Sequence, residues 1–169
     1  YTHASLWVII AETLLKFGDK AVELYNMINP IEHAKTKEAA NKYKVEPYVI
    51  AADIYGTSNL AGRGGWTWYT GSSSWFYKTG IEYILGFIIE NNVLRINPCI
   101  SKDWKEFSMR YKYGRTIYNI SVKNFGGKCY GVNKVLLNGS EVPNKAILLV
   151  DDGSVNEVIV EMWFLRQKR

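Results

Sequence analysis

Gly62-Arg63-Gly64-Gly65-Trp66-Thr67-Trp68-Tyr69-Thr70-Gly71-Ser72-Ser73-Ser74-Trp75 is the stretch whose residue types and order most suggest chemistry. Thr70, Gly71 and Ser72 stand just before the start of an expected helix. A helix start offers unpaired amide N–H groups and a partial positive charge, so an oxyanion placed there is stabilised. Gly71 lets the backbone approach a ligand closely, and a Thr or Ser hydroxyl can add a hydrogen bond. The stretch can therefore seat a phosphate. Thr70 or one of Ser72 to Ser74 could equally serve as a plain helix cap, and spacing alone favours that simpler role.

Trp66, Trp68 and Tyr69 also carry two readings. Flat aromatic faces suit the apolar face of a pyranose ring, and indole N–H groups can hold hydroxyls. Large aromatics on a Gly-rich loop can also plug the end of a helical domain. His3 and His33 are the only histidines. A lone His is more often structural than catalytic, yet a protonated one can hold phosphate through a charge-assisted hydrogen bond. Glu46, Asp53 and Glu82 are candidate acids, but no spacing sets two of them across a glycosidic bond. Ser/His/Asp, P-loop and metal-ligand patterns are absent. Cys99 and Cys129 have no CxxC or Cys/His spacing and read as free thiols of a reducing compartment.

The elements that must position these residues change character along the chain. Ala4 to Phe17 carries Leu6, Ile9, Ile10, Thr13, Leu14 and Phe17 at helical spacing, with Gly18 expected as a left-handed stop. Helices are expected near Lys20 to Met27, Lys37 to Tyr43 and Ser73 to Ile89, the last burying Trp75, Tyr83, Leu85 and Ile88. Pro47 disfavours helix at Glu46. From Tyr55 to Ser74 the chain is too long and too aromatic for a mere connection. After Glu90 the period drops from helical to two. Strands are expected at Leu94 to Ile96, Phe107 to Tyr113, Thr116 to Lys123, Val132 to Leu137, Ala146 to Val150 and Glu157 to Met162. Turn signals separate them, Asn138-Gly139 being a strong hairpin pair.

A chain of 169 residues with 47% hydrophobic content can bury a sizeable core. The net charge of +5 suits an anionic partner, but part of it sits in the tail Arg166-Gln167-Lys168-Arg169. No basic stripe or RNA-binding motif appears, so nucleic acid is not an expected partner. No apolar run is long enough to span a membrane. The opening Tyr1-Thr2-His3 stands directly before a helix-like run with no initiator Met, as expected of a piece of a longer polypeptide.

Several segments together resemble the C-terminal region of glycoside hydrolase family 94. These are Glu46-Pro47-Tyr48-Val49, Ala52-Asp53-Ile54-Tyr55, the run Gly62 to Ser72, Asn97-Pro98-Cys99-Ile100 with Trp104, and Tyr1-Thr2-His3 before Leu6-Trp7. The resemblance covers residue 1 to about residue 125. It implies an α+β piece of a multidomain protein. Residues 1–90 would be the last helices of an (α/α)6 catalytic barrel, and residues 91–169 an antiparallel two-sheet, jelly-roll-like β domain. The implied activity is inverting phosphorolysis of a β-glucoside to α-glucose 1-phosphate. Inorganic phosphate is then a co-substrate, and no cofactor or metal is implied.

By the same resemblance His3, Thr70 and Gly71 hold phosphate, which reverses the order of preference that spacing gave. Glu46, Arg63, Trp66 and Trp68 are the corresponding sugar-binding candidates. The family's general acid, an Asp, lies upstream of the His segment, so no catalytic acid is assigned here and the chain alone is expected to be inactive. Half a barrel leaves apolar helix faces bare, so docking to the remainder of the barrel, or a homodimer, is expected. Ile50-Ala51-Ala52-Asp53 lacks the Gln that cellobiose-type members carry there. The wording from Asn29 to Tyr55 instead resembles the β-1,2-glucan branch, making a β-1,2-linked glucooligosaccharide the expected substrate. Ser73-Ser74 departs from the family's usual Ala-Gly, altering the packing behind the phosphate seat. A cellobiose or laminaribiose phosphorylase, or a non-catalytic carbohydrate-binding module, are the competing expectations. The setting implied is cytoplasmic, including the cytoplasmic part of a membrane-bound glucan synthase.

Overall fold

The computed structural model describes residues 1–162, so the basic tail from Arg166 to Arg169 lies outside the described residues. Helix α1 (Thr2–Leu14) buries Leu6, Ile9 and Thr13, spaced by three to four residues as one helical face requires. Leu14 and Phe17, expected in that face, are exposed. Leu14 is the last residue of α1, and Phe17 lies beyond it because α1 stops early. Lys16 takes the left-handed conformation (φ 69°), and Gly18 opens α2 (Gly18–Ile28) instead of closing α1. Gly18 is required for close approach, since a Cβ there would lie 2.1 Å from the Ile100 carbonyl oxygen.

Asn29 caps a one-turn helix α3 (Pro30–His33), accepting from the Ile31 amide at 3.1 Å. Helix α4 (Lys37–Tyr43) has the expected bounds, with the Thr36 hydroxyl accepting from the Ala39 amide at 3.1 Å. The long aromatic loop contains a short hairpin in which β1 (Asp53–Ile54) pairs with β2 (Gly64–Gly65). A Cβ at Gly65 would meet the Tyr55 ring, so the hairpin needs glycine there. Tyr43, Val45, Val49 and Ala51 form a small second core beneath it.

Helix α5 (Thr70–Lys78) continues as a π-helical turn over Thr79–Ile84. Tyr25 stacks on Phe76 with ring centroids 4.2 Å apart and donates its hydroxyl to the Phe76 carbonyl at 3.2 Å. That contact draws on a carbonyl at the junction where the helix widens. The helix was expected to reach Ile89, but it ends before Gly86 (φ 69°), and Phe87–Glu90 is strand β3. Pairing of β3 with β4 (Val93–Ile96) across left-handed Asn91 and Asn92 overrides the helical period of Ile88 and its neighbours. Thr79, Ile84 and Gly86 are the buried residues of this segment, while Trp75, Tyr83, Leu85 and Ile88 are half-buried.

The remaining strands are β5 (Glu106–Tyr113), β6 (Thr116–Lys123), β7 (Lys134–Leu137), β8 (Ser140–Glu141), β9 (Ile147–Leu148) and β10 (Val155–Glu161). They divide between two sheets, one ordered β5-β6-β10-β7-β8 and the other β3-β4-β9. The expectation of wholly antiparallel sheets is corrected at one pair. β10 lies parallel to β6 because the chain travels through β7, β8 and β9 before returning beside it. Asn138-Gly139 forms the expected hairpin turn, both residues at positive φ (50° and 83°) between β7 and β8. One buried cluster unites helices and sheets, with Leu6, Ile9, Val22 and Ile84 in the same group as Leu94, Ile100, Ile120 and Val160.

Candidate functional site

Two helix starts meet at one corner of the molecule. The α1 start is defined by Thr2, whose amide donates to the Ala52 carbonyl at 2.8 Å and whose hydroxyl donates to the Ala51 carbonyl at 2.7 Å. The α5 start is held by Tyr69, whose amide donates to the Ile50 carbonyl at 3.1 Å. Both helices therefore hang from the same Ile50–Ala52 segment. Their flanking residues touch directly, since the Tyr1 and Tyr69 hydroxyls are 2.8 Å apart. That bond, with some desolvation, raises the Tyr1 phenol above its usual value. The loop before α5 is tied in through the Ala52 amide, which donates to the Trp66 carbonyl at 3.0 Å.

The first turn of α5 has no internal counter-charge. Tyr69 is its flanking residue, no side chain caps it, and its first turn carries no acid. The capping role that spacing favoured for Thr70 or the serines is thus not what they do. Ser74 instead donates back to the Thr70 carbonyl at 3.3 Å. The amides of Thr70, Gly71 and Ser72 precede the first intrahelical bond, which runs from Ser73 N to Tyr69 O at 3.1 Å. Thr70 is exposed, and nothing lies within 4 Å of where a Cβ on Gly71 would sit. The positive end of α5 is therefore open to an anion. The first turn of α1 also lacks an acid and carries His3. Helices α1 and α5 pack together, and the His3 ring lies 6.0 Å from Trp75 and 5.1 Å from Trp7.

The other candidates are distributed unevenly. Trp66 and Trp68 are 75% and 63% exposed, and both adopt left-handed backbone (φ 53° and 61°). Such a conformation is strained for large side chains and persists only where the surroundings enforce it. Trp66 sits 5.8 Å from the Tyr69 ring, and Trp68 meets Tyr48 edge-on at 6.2 Å. Trp66 thus borders the α5 start, and Trp68 points a ring toward the Pro47-Tyr48 loop. Arg63 is exposed at the end of the β1–β2 hairpin, and Glu46 is half-buried before Pro47. Among the described residues, no hydrogen bond, ion pair or ring contact joins the Glu46 or Arg63 side chain to His3 or Thr70. His33 is elsewhere, stacked on Tyr43 and bonded through Nε2 to the Met27 carbonyl at 2.8 Å.

The sequence reading singled out neither the Tyr1–Tyr69 hydroxyl pair nor the His3–Trp75 ring contact. Ser72 and Trp75 are three residues apart on α5, a spacing that could have placed both on one face. A cavity of about 530 Å³ borders this corner through Tyr48, Ile50 and Ser73 and extends to Tyr25, Phe76 and Trp104. His3, Thr70, Gly71, Glu46, Arg63, Trp66 and Trp68 are not among its lining residues. Among the described residues, no three His, Cys, Asp or Glu side chains converge as metal ligands. No helix there is long and apolar enough to cross a membrane.

Comparison with known proteins bears on this corner directly. The chain is 45% identical over 122 residues to the cyclic beta-(1,2)-glucan synthase NdvB of Rhizobium meliloti (strain 1021), covering 72% of this chain and 4% of that protein. It is 34% identical over 161 residues to the N,N'-diacetylchitobiose phosphorylase of Vibrio furnissii, covering 95% of this chain and 20% of that one. It is also 28% identical over 163 residues to the solabiose phosphorylase of Paenibacillus borealis, covering 96% and 21%. The chain thus spans only 4% to 21% of the length of these curated relatives. Residues 1–86, which include both helix starts and the aromatic loop, match the model for the catalytic domain of the glycosyl hydrolase 94 superfamily, and the chain belongs to that family.

Proposed function

We propose that this chain is the C-terminal part of an inverting glycoside phosphorylase acting on β-linked glucooligosaccharides, with the β-1,2 linkage favoured. The observation that carries the reading is the first turn of α5, which has no side-chain cap and no acid of its own, bearing Thr70 and Gly71 and packed against α1, which carries His3. In this reading the open amides of α5, the Thr70 hydroxyl and the His3 imidazole hold inorganic phosphate. Gly71 keeps the approach free of a side chain.

Phosphorolysis suits such a seat. An inverting hydrolase uses one carboxylic acid to protonate the leaving oxygen and a second carboxylate to activate water. Phosphate is already charged and nucleophilic, so the second carboxylate can give way to groups that hold the anion in line with the anomeric carbon. A phosphate oxygen forms the new bond to that carbon as the glycosidic C–O bond breaks. The departing sugar oxygen takes a proton from an acid outside this chain, and the product is α-glucose 1-phosphate. Trp66 and Trp68, exposed and held in enforced conformations beside the seat, offer faces for pyranose rings. Glu46 and Arg63 are assigned to more distant sugar contacts. The β-1,2 preference leans on the glucan synthase among the relatives and on the Ile50–Asp53 wording. The barrel of residues 1–90 and a separate C-terminal β domain, a cytoplasmic setting, and inactivity of the chain alone belong to the same proposal.

The test is glucose 1-phosphate release by a polypeptide that joins this chain to the rest of its catalytic domain. It is measured with and without phosphate on β-1,2-, β-1,3- and β-1,4-linked glucooligosaccharides. Release from the β-1,2 substrate that requires phosphate, and that falls by about a hundredfold or more in His3→Ala, is expected when a charge-assisted anion contact is lost. Glucan binding that ignores both phosphate and Thr70→Ala, without any release, would instead mark a binding module and overturn the reading.

A further inference from the structure

Tyr1 and Tyr69 stand immediately before α1 and α5, and their hydroxyls are 2.8 Å apart. Both backbones are pinned. The Tyr1 carbonyl accepts from the Ser5 amide at 3.1 Å. Tyr69 donates its amide to the Ile50 carbonyl and accepts from the Ser73 amide, each at 3.1 Å. The hydroxyl pair is not a core contact, because Tyr1 is 59% exposed and Tyr69 only half-buried. Water competes for such a bond, so it adds little to stability.

Its chemistry gives it another use. In a pair of hydroxyls one O–H donates and the other oxygen accepts. The accepting phenol keeps its own O–H, whichever way round the pair stands. Among the described residues neither hydroxyl has a second hydrogen-bond partner. The pair therefore presents one unspent donor beside oxygens that still accept. A phosphate would use the donor alone and would set its oxygens against the phenol lone pairs. A sugar hydroxyl, itself both donor and acceptor, uses both.

The neighbouring rings favour the sugar. Trp66, Tyr69, Tyr1 and His3 form a run of ring contacts, with centroids 5.8, 6.2 and 6.1 Å apart in that order. The hydroxyl pair is the middle link, so it joins an exposed indole to the imidazole assigned to the anion. Trp66 is 75% exposed at φ 53°, a strained conformation of the kind that persists at ligand sites. A pyranose stacked on that indole keeps its hydroxyls at the ring edge, where hydrogen-bonding neighbours can meet them.

We propose that the Tyr1–Tyr69 pair reads the sugar. Its unspent O–H and the adjoining phenol oxygen bind one hydroxyl of the pyranose that stacks on Trp66. The assignment rests on the glycoside reading of this corner, not on phosphate as the co-substrate.

The test uses the polypeptide that joins this chain to the rest of its catalytic domain, with its preferred glucooligosaccharide and the monodeoxy analogues of that substrate. In the parent, removing the hydroxyl that the pair reads should lower kcat/KM by about tenfold, the scale of one hydrogen bond. Tyr69→Phe keeps the ring and removes one phenol oxygen. It should cost about tenfold on the complete substrate and nothing further on that one analogue, as expected of two groups that share a bond. Tyr1→Phe, the second variant, should be coupled to the same sugar hydroxyl. Both variants should keep the parent's melting temperature and its KM for phosphate. If Tyr69→Phe penalises every analogue as heavily as the complete substrate, the proposal is overturned. It is also overturned if the KM for phosphate rises about tenfold while sugar discrimination is intact, which would assign the pair to the anion. If the parent releases no glucose 1-phosphate, the phosphorylase reading fails, and calorimetric binding of the same analogues takes the place of kcat/KM. Coupled losses of affinity then still support the pair, and additive losses still overturn it.

Discussion

At Gly71 a single methyl group separates a helix cap from an anion seat. The residue is exposed, lies in the first turn of α5 and has nothing within 4 Å of a built Cβ. If the turn only starts a helix, alanine there should be neutral or stabilising, by about 0.5 kcal/mol, because glycine loses more chain entropy on folding. If the turn seats phosphate, the same methyl occupies the space the anion must enter. Gly71→Ala is therefore expected to keep or slightly raise the melting temperature while weakening phosphate affinity by about tenfold or more. Calorimetric melting and a phosphate titration on the same sample read both quantities. A variant that melts higher and binds phosphate unchanged removes Gly71 from the seat. The residue types at this corner were legible in the sequence, because Thr70-Gly71-Ser72 before a helix has a chemical meaning of its own. The left-handed backbone of Trp66 and Trp68 was not. Nothing in a tryptophan announces positive φ, which arises here from the hairpin and the Ile50–Ala52 segment that the loop must meet.

Local signals located most elements and misjudged their ends where tertiary contact decides. α4 has the predicted bounds because a Thr cap, a good helical sequence and a left-handed Lys44 act within one short segment. α1 and α2 were misjudged at their junction, because Gly18 reads as a left-handed stop when only the local chain is considered. Its true constraint is distant. A Cβ on Gly18 would lie 2.1 Å from the Ile100 carbonyl oxygen and 2.8 Å from that of Cys129, both backbone atoms that cannot rotate away. Gly18→Ala is thus expected to destabilise by about 2–3 kcal/mol, at the upper part of the overpacking range. Gly153→Ala is a useful contrast, since φ there is 81° but open space surrounds the Cβ position. Its cost should stay near the 1–2 kcal/mol of a left-handed conformation. Urea unfolding of both variants ranks them. A Gly18→Ala protein as stable as the parent would mean that α2 can slide from Ile100 without penalty. The extended helix expected to Ile89 fails for the same kind of reason, with Gly86 pressed against Asn97 and β3 paired to β4. The parallel β6–β10 pair was beyond local reading altogether, since register between strands so distant in the chain leaves no trace in either strand's alternation.

Across the whole molecule, the helical part and the sheets meet at the Gly18–Asp19 turn and the Ile100–Lys102 loop, and Asp19 is the polar clamp there. Its carboxylate accepts from the Lys102 amide at 3.0 Å and from the Ser101 hydroxyl at 2.8 Å, and the Lys102 ammonium stands 3.3 Å away. The Lys102 amide bond first, and then the Ser101 bond, hold the Asp19 pKa below its usual value. Asp19 also lies in the first turn of α2, where a negative charge is favoured. A carboxyl whose folded pKa is lowered stabilises the protein above its unfolded pKa of about 3.9, and that stability is lost as pH falls through the folded value. The side chain is 45% exposed, so solvent screening limits the ionic part, and the two hydrogen bonds should carry most of about 1 kcal/mol. Asp19→Asn keeps the size but removes the charge and one strong acceptor. Its stability deficit should be full at pH 7, shrink as pH falls below the unfolded value of about 3.9, and vanish once pH lies below the lowered folded value, where the parent carboxyl is also protonated. Parallel urea titrations of the parent and variant across that range give the difference directly. A deficit that does not change with pH would mean that Asp19 holds α2 to the loop by shape alone. A deficit that vanishes with acid would mean that the charge itself fixes how the α1–α5 corner is carried on the sheets, because α2 packs on α1 and starts at this clamp.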